Sequence, residues 1–296
     1  MAAWDILVIG GGAAGLSAAA AAAGLGLSCA VIDRMGGGGE LMNLGPLHDI
    51  DEPLPGPDLT ARLLEDAMTA GAALEVGEVS HLAQAGDLWR VTTDGGQHDA
   101  RAVILAIGLA PGTLGLADEG DYEARGLSHC AACDGPLYRG DPVVVAGAGR
   151  WAVQEARDLA EIASAVSLVT QGGAVPASDG FTVIHGRIAG LEGTSGLDAV
   201  LVQPDDGTDM RRVATQAVFV QTGRRPAAGF APHDLARDPD GRFVTDDTQQ
   251  TNLPGLYAAG DARAGAERSL VFAMEDGRRA AVAACARLVP LGKSVG

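Results

Sequence analysis

The chain has 296 residues and a formal charge of −17. That length holds two ordinary domains with a sizeable core, and the negative balance argues against nucleic acid or an anionic membrane as partner. Glycine occupies 43 positions, about double ordinary usage, and sits in tight strand-to-helix turns instead of a low-complexity tract, which favours a nucleotide-binding α/β protein.

Residues 6–32 carry no charge, a run long enough for a membrane span. Gly10, Gly11, Gly12, Gly15, Gly24 and Gly26 interrupt it, its middle is mostly alanine, and no basic stretch precedes it. It therefore fits neither a span nor a signal peptide, and a soluble cytoplasmic protein is expected. Asp5 to Ile9 has a buried-strand pattern that runs into Gly10-Gly11-Gly12-Ala13-Ala14-Gly15, followed by an alanine-rich helix to about Ala23. In Gly-x-Gly-x-x-Gly, the first glycine permits a tight turn, the second lets a pyrophosphate approach the helix N-terminus, and the third lets helix pack on strand. A second strand, Ser28 to Ile32, ends in Asp33, placed to accept a hydrogen bond from a ribose hydroxyl. Strand, helix, second strand and terminal acid in register predict dinucleotide binding.

Met35-Gly36-Gly37-Gly38-Gly39-Glu40 is a loop almost without side chains, read as lying against a large ligand or else as a flexible linker. Pro53, Pro55 and Pro57 punctuate a surface loop; a helix is expected from about Asp58 to Ala70, with strands at Leu74 to Val79 and Trp89 to Thr93. A strand from Ala102 to Ile107 ends in Gly108, and Ala110-Pro111-Gly112 reads as a crossing out of the domain.

The chemical centre is Cys130-Ala131-Ala132-Cys133-Asp134-Gly135. Two thiols at this spacing form half a zinc site or a redox couple. Zinc needs two further ligands, but Cys29 and Cys285 are isolated in apolar runs and His129 abuts Cys130 too closely, so a redox dithiol is expected and no metal. Asp134 can accept and return a proton during thiol exchange. The opening pattern then repeats: strand Val143 to Ala146, Gly147-Ala148-Gly149-Arg150-Trp151-Ala152, a helix to about Ala163 and strand Ala165 to Val169. This copy ends in Thr170-Gln171-Gly172-Gly173, with neither an acid for a ribose nor a cation for a 2′-phosphate, and no Lys or Arg occurs from Asp158 to Gly186. Trp151 in the first helical turn would crowd a phosphate. A strand from Ala217 to Gln221 precedes a second crossing at Gly223-Arg224-Arg225-Pro226, and Tyr257-Ala258-Ala259-Gly260-Asp261 ends a strand in Gly-Asp before a helix.

With these three motifs in this order over nearly its whole length, the chain resembles the low-molecular-weight thioredoxin reductases, flavoproteins of the pyridine nucleotide-disulfide oxidoreductase superfamily. The resemblance implies an α/β fold of two Rossmann-like three-layer domains. A discontinuous FAD domain would comprise residues 1–112 and 224–296, and the dithiol would lie in an inserted domain, 113–223. It implies that Gly10, Gly12, Gly15 and Asp33 bind the ADP half of FAD, that Gly39 and Glu40 lie by the flavin, and that Asp261 contacts the ribityl chain and pyrophosphate. Ala13, Ala14, Arg34, Asn43, Gly108, Gly260, Ser269 and Leu270 would be further cofactor-binding residues. Cys133 would face the flavin, Cys130 would attack the substrate disulfide and Asp134 would be the acid/base. The chain departs from the family at Glu40, where Gln is usual, and at Ala132, where Thr is usual. It departs most in the second glycine turn, where Trp151 replaces a Ser or Thr and Thr170-Gln171-Gly172 replaces His-Arg-Arg. The expectation is a disulfide oxidoreductase acting on a thioredoxin-like protein or small disulfide, supplied by ferredoxin or flavodoxin instead of NADPH, and homodimeric. An NAD(P)H-dependent reductase, a dithiol oxidase and a non-catalytic redox sensor are the alternatives.

Overall fold

The computed structural model describes residues 3–47, 53–175 and 180–289. The chain divides into two compact units, one formed by Met1–Leu109 with Arg225–Gly296 and the other by Ala110–Arg224.

In the first unit, Trp4–Ile9 (β1) and Cys29–Asp33 (β2) pair in parallel across the helix Ala13–Gly24 (α1), with Ile6 opposite Cys29 and Ile9 opposite Ile32. After the amphipathic helix Gly56–Thr69 (α2), Ala73–Val76 (β3) adds to the free side of β2. Val79–Ala85 (β4), Leu88–Thr93 (β5) and Gly96–Leu105 (β6) follow as an antiparallel meander. The two halves of β6 have different partners: Gly96 to Ala100 pair with β5, whereas Ala102 to Leu105 run parallel between β1 and the late strand Leu256–Ala258.

Two expectations are corrected here. The strand foreseen from Leu74 to Val79 breaks at Gly77, whose N–H donates to the carbonyl of Asp33 and ends the parallel pairing, while Asp94 Oδ1 accepts from Glu78 N–H and starts the meander. The strand foreseen from Ala102 begins instead at Gly96, because the Thr93 hydroxyl accepts from Gly95 N–H and donates to the Gly96 carbonyl, closing a tight reversal.

Alternation along β1 explains the layering. Ile6 and Val8 face a core with α1 and the final helix, Leu270–Leu288, while Leu7 and Ile9 face another with Trp89, Val91, Leu235 and Phe243. Both faces are buried, so the strand reads as a continuous apolar run. α1 is alanine-rich because it is enclosed on nearly every side. The final helix approaches so closely that a Cβ on Gly277 would collide with the carbonyl oxygen of Ala14.

The second unit carries a parallel sheet built from Leu127–Ser128 (β7), Pro142–Ala146 (β8), Ala165–Val169 (β9) and Thr182–Ile184 (β10). Next come Gly186–Glu192 (β11), Ala199–Pro204 (β12) and Arg211–Ala214 (β13), an antiparallel sheet of their own, before Ala217–Val220 (β14) enters the parallel sheet between β7 and β8. The antiparallel sheet buries Ile188, Leu191, Val200 and Val202 on one face of the parallel sheet; on the other, helix Arg150–Ala160 (α4), which follows the short helix Ala131–Asp134 (α3), buries Ala152, Ala156 and Leu159. The protein is thus an α/β fold in three layers. The stretch after β9 includes residues 176–179, which lie outside the described residues. No helix among the described residues is long and apolar enough to cross a membrane.

Candidate functional site

Cys130 and Cys133 form a disulfide at the start of a short helix, Ala131–Asp134 (α3), with Cα atoms 5.3 Å apart. Cys133 is exposed and Cys130 half-buried. The Cys130 sulfur accepts a hydrogen bond from Cys133 N–H at 3.2 Å, so the N-cap role usual for Ser or Asp falls to the disulfide. Asp134 is held by Ser128, a residue the sequence reading passed over. The buried Ser128 hydroxyl donates to Asp134 Oδ2 at 2.7 Å and accepts from Cys130 N–H at 3.1 Å. His129 is half-buried, its Nε2 3.1 Å from Glu123 Oε1 and its Nδ1 buried without a partner.

Two more residues missed in the sequence close around the dithiol from other elements. Glu155, on α4, lies beside Ala131 and Gln221, and Gln221, just past β14, donates through Nε2 to the His129 carbonyl at 3.1 Å. Burial pushes the Glu155 carboxyl above its ordinary range, only partly offset by these polar neighbours, and its Oε2 is buried with no partner. Cys29 is a core thiol that burial pushes up to about 12, which makes it a poor nucleophile; Cys285 is the other free cysteine.

In the first unit, the glycine turn fits a dinucleotide. Gly10 has φ +101 and a Cβ there would collide with the Ala106 carbonyl oxygen, and a Cβ on Gly15 would collide with that of Gly10. Gly12, the N-cap of α1, has open space above it, so the N–H groups of the first turn, at Ala13 and Ala14, can face an anion. Asp33 accepts from Gly11 N–H through Oδ2 and from Met35 and Gly37 N–H through Oδ1, all within 2.8 to 3.0 Å. A carboxylate has about four acceptor sites, which leaves room for one ribose hydroxyl. Gly36 to Gly39 run through four consecutive positive φ angles, folding the loop back so that Gly38 N–H donates to the Gly11 carbonyl at 2.7 Å. Gly260, ahead of Asp261, abuts Ala14, and Asp261 pairs with Arg268 at 3.4 Å. Gly39, Glu40 and Asn43 lie on the 3-10 turn after the glycine loop, Arg34 is exposed beyond β2, Gly108 follows β6 with φ +58, and Ser269 and Leu270 open the final helix.

The second turn reproduces this frame. A Cβ on Gly147 would collide with the Gln221 carbonyl oxygen, and Gly173 packs on Ala148 as Gly37 packs on Gly11. Its chemistry differs. Thr170, in the place of Asp33, is fully buried, and its hydroxyl accepts from Gly186 N–H. Trp151 stands 62% exposed in the first turn of α4 with the Arg150 guanidinium 5.2 Å from its ring centroid. One cation does reach this end of β9: the guanidinium of Arg187, from β11, lies against Gly172. It is the first residue past the Arg-free stretch, carried there because Ile184 pairs with Val169.

The model of the pyridine nucleotide-disulphide oxidoreductase family matches residues 4–284. A thioredoxin reductase from Treponema pallidum is 32% identical over 295 residues, covering 95% of this chain and 96% of the relative. Among solved structures, a thioredoxin reductase from Lactococcus lactis superposes with a TM-score of 0.76 at 27% identity, covering 97% of this chain and all of that one. A ferredoxin-flavin thioredoxin reductase from Clostridium acetobutylicum superposes at 0.56 and 27% identity, covering 96% and 98%.

Proposed function

The chain belongs to the pyridine nucleotide-disulphide oxidoreductase family and is a flavin-dependent disulfide oxidoreductase of the thioredoxin reductase type; on that premise we propose that its flavin is FAD and that its electrons come from a donor other than NADPH. FAD is supported by the open backbone at Gly12 and the spare acceptor site on Asp33. When bound, the flavin supplies a two-electron carrier between donor and disulfide. Cys130 and Cys133 form the exchanging pair, acting on thioredoxin or a small disulfide. Ser128 keeps the Asp134 carboxylate oriented, so that a proton can be held at Oδ1 or Oδ2 and passed to a departing sulfur.

The observation that carries the donor assignment is Trp151, a large exposed indole in the first turn of α4 beside the backbone N–H groups that would face a pyrophosphate, although Gly149 keeps the same open space as Gly12. Thr170 adds to it, being a buried, already bonded hydroxyl where a ribose acceptor would stand. Each charge-assisted hydrogen bond to a 2′-phosphate is worth roughly 1.5–3 kcal/mol. Losing two weakens binding by about two to four orders of magnitude. The second reading, a nicotinamide-dependent reductase, is favoured by Arg187 at Gly172, one guanidinium where such a phosphate would lie.

Anaerobic stopped-flow reduction of the flavin by NADPH, NADH and reduced ferredoxin in turn separates the two. The expected outcome is fast bleaching by ferredoxin and none on the catalytic timescale with either nucleotide. Fast reduction by NADPH that disappears in Arg187→Gln would establish the second reading instead. Placing arginine at Gly172 is not a usable restoration, because Gly172 has φ +80 and its Cβ would strike Arg187.

A further inference from the structure

Resting on the reading that Asp261 holds FAD, we propose that Asp276 is a positioning residue for the flavin: through Arg263 it fixes the turn that carries Asp261 against the final helix, and so sets that carboxylate relative to the first turn of α1. Asp276 is 6% exposed, and both of its oxygens are engaged by segments remote in the chain. Oδ2 pairs with Arg263 Nε at 2.8 Å, and Oδ1 accepts from Gln249 Nε2 at 3.3 Å. The neighbouring charges on the helix are engaged elsewhere, since Glu275 pairs with Arg278 and Arg279 at the surface.

Both partners of Asp276 bracket the turn Gly260–Ala262. Arg263 ends it, its N–H donating to the Gly260 carbonyl at 2.9 Å. The peptides on either side of Arg263 are pinned to fully buried Phe243, whose N–H donates to the Ala262 carbonyl and whose carbonyl accepts from Ala264 N–H, each at 2.8 Å. Gln249 holds the other end: its carbonyl accepts from Ala258 N–H at 3.0 Å, where the strand Leu256–Ala258 leads into Gly260. Gln249 has φ +67, a region that glycine adopts freely and glutamine does not, and its Oε1 is buried without a partner. Both costs fall on the residue whose side chain reaches Asp276.

The helix side of the contact is equally close. Gly277, next to Asp276, leaves no room for a Cβ against the Ala14 carbonyl oxygen, and a Cβ on Gly260 would meet the methyl groups of Ala14 and Ala273. The final helix, the turn and the first turn of α1 therefore converge on Ala14, and a slip of the helix would move Asp261 relative to the N–H groups that face an anion. Asp261 itself pairs with exposed Arg268 at 3.4 Å, a long contact, so its placement depends on the backbone of the turn. A buried ion pair stabilises a fold little better than apolar side chains of the same volume, but its directional bonds define one geometry.

The test measures FAD release instead of turnover. Holoenzyme is diluted serially and the free flavin is read by its fluorescence. Asp276→Asn keeps the shape of the side chain and removes its charge, and should hold FAD roughly five- to twentyfold more weakly. Asp261→Asn should weaken retention by a similar factor. In the double variant the two factors should not multiply, because Asp276 acts through Asp261; multiplied factors would show a general loosening of the fold and overturn the proposal. Arg263→Lys is a milder change for the case that Asp276→Asn folds poorly. It keeps the charge but not the direction of the planar guanidinium, and should weaken retention about twofold or more. Native retention in Arg263→Lys or in Asp276→Asn would overturn the proposal and leave the reading of Asp261 intact. Native retention in Asp261→Asn would instead overturn that reading, and the proposal with it.

Discussion

Ser128 satisfies two groups with one hydroxyl, the Asp134 carboxylate and the Cys130 N–H. Removing it strands a half-buried acceptor and a half-buried donor, at a cost of about 1 kcal/mol. Ser128→Ala is expected to slow disulfide reduction about tenfold or more. Ser128→Thr should restore most of the rate; a Ser128→Ala enzyme as fast as the native one would show that Ser128 only packs. Glu155 gives a pH dependence in stability. Its pKa is raised on folding from 4.5, so the native state holds more protons than the unfolded one between the two values. Stability therefore falls as pH rises through that window, and Glu155→Gln should abolish this slope in denaturation midpoints measured across it.

At the scale of elements, the first glycine turn and the helix behind it form one rigid piece. Gly15 has no room for a methyl group, because the Gly10 carbonyl oxygen already occupies the position. Gly15→Ala should push α1 away from β1, lower the melting temperature by several degrees, as about 1–3 kcal/mol of overpacking does, and reduce flavin retained on gel filtration; unchanged retention would place the flavin elsewhere. The local pieces were legible in the sequence: strand, glycine turn, helix and terminal acid are contiguous, and so is the dithiol. What escaped notice depends on contacts remote in the chain. Arg187 reaches Gly172 only through the pairing of β9 with β10, and Gln221 reaches His129 across 92 residues. The antiparallel sheet of β11, β12 and β13 was missed because its strands are broken by Gly190 and a register shift at Ile188, and because β13 is largely exposed and therefore lacks an apolar run.

For the whole molecule, the charge of −17 bears on how a protein donor meets the chain. A donor of the same sign is repelled at long range, and screening shortens that repulsion to about 10 Å at 0.1 M salt. The second-order rate of flavin reduction by an acidic donor protein should therefore rise with ionic strength, and a steady fall would point to a local cationic patch that outweighs the net charge. The division of the first unit has a consequence of another kind, in the order of synthesis. β6 leaves the ribosome more than 150 residues before Leu256–Ala258, the strand that pairs with its second half, and Leu7 and Ile9 wait as long for Phe243 and Leu256. Until then the nascent chain carries an open sheet edge and an uncovered apolar face, while residues 110–224 already have all the strands of their own sheets. The inserted unit is thus positioned to fold first, and a stalled or truncated chain would be a client for chaperones because of its first hundred residues, not because of the ones that carry the cysteines.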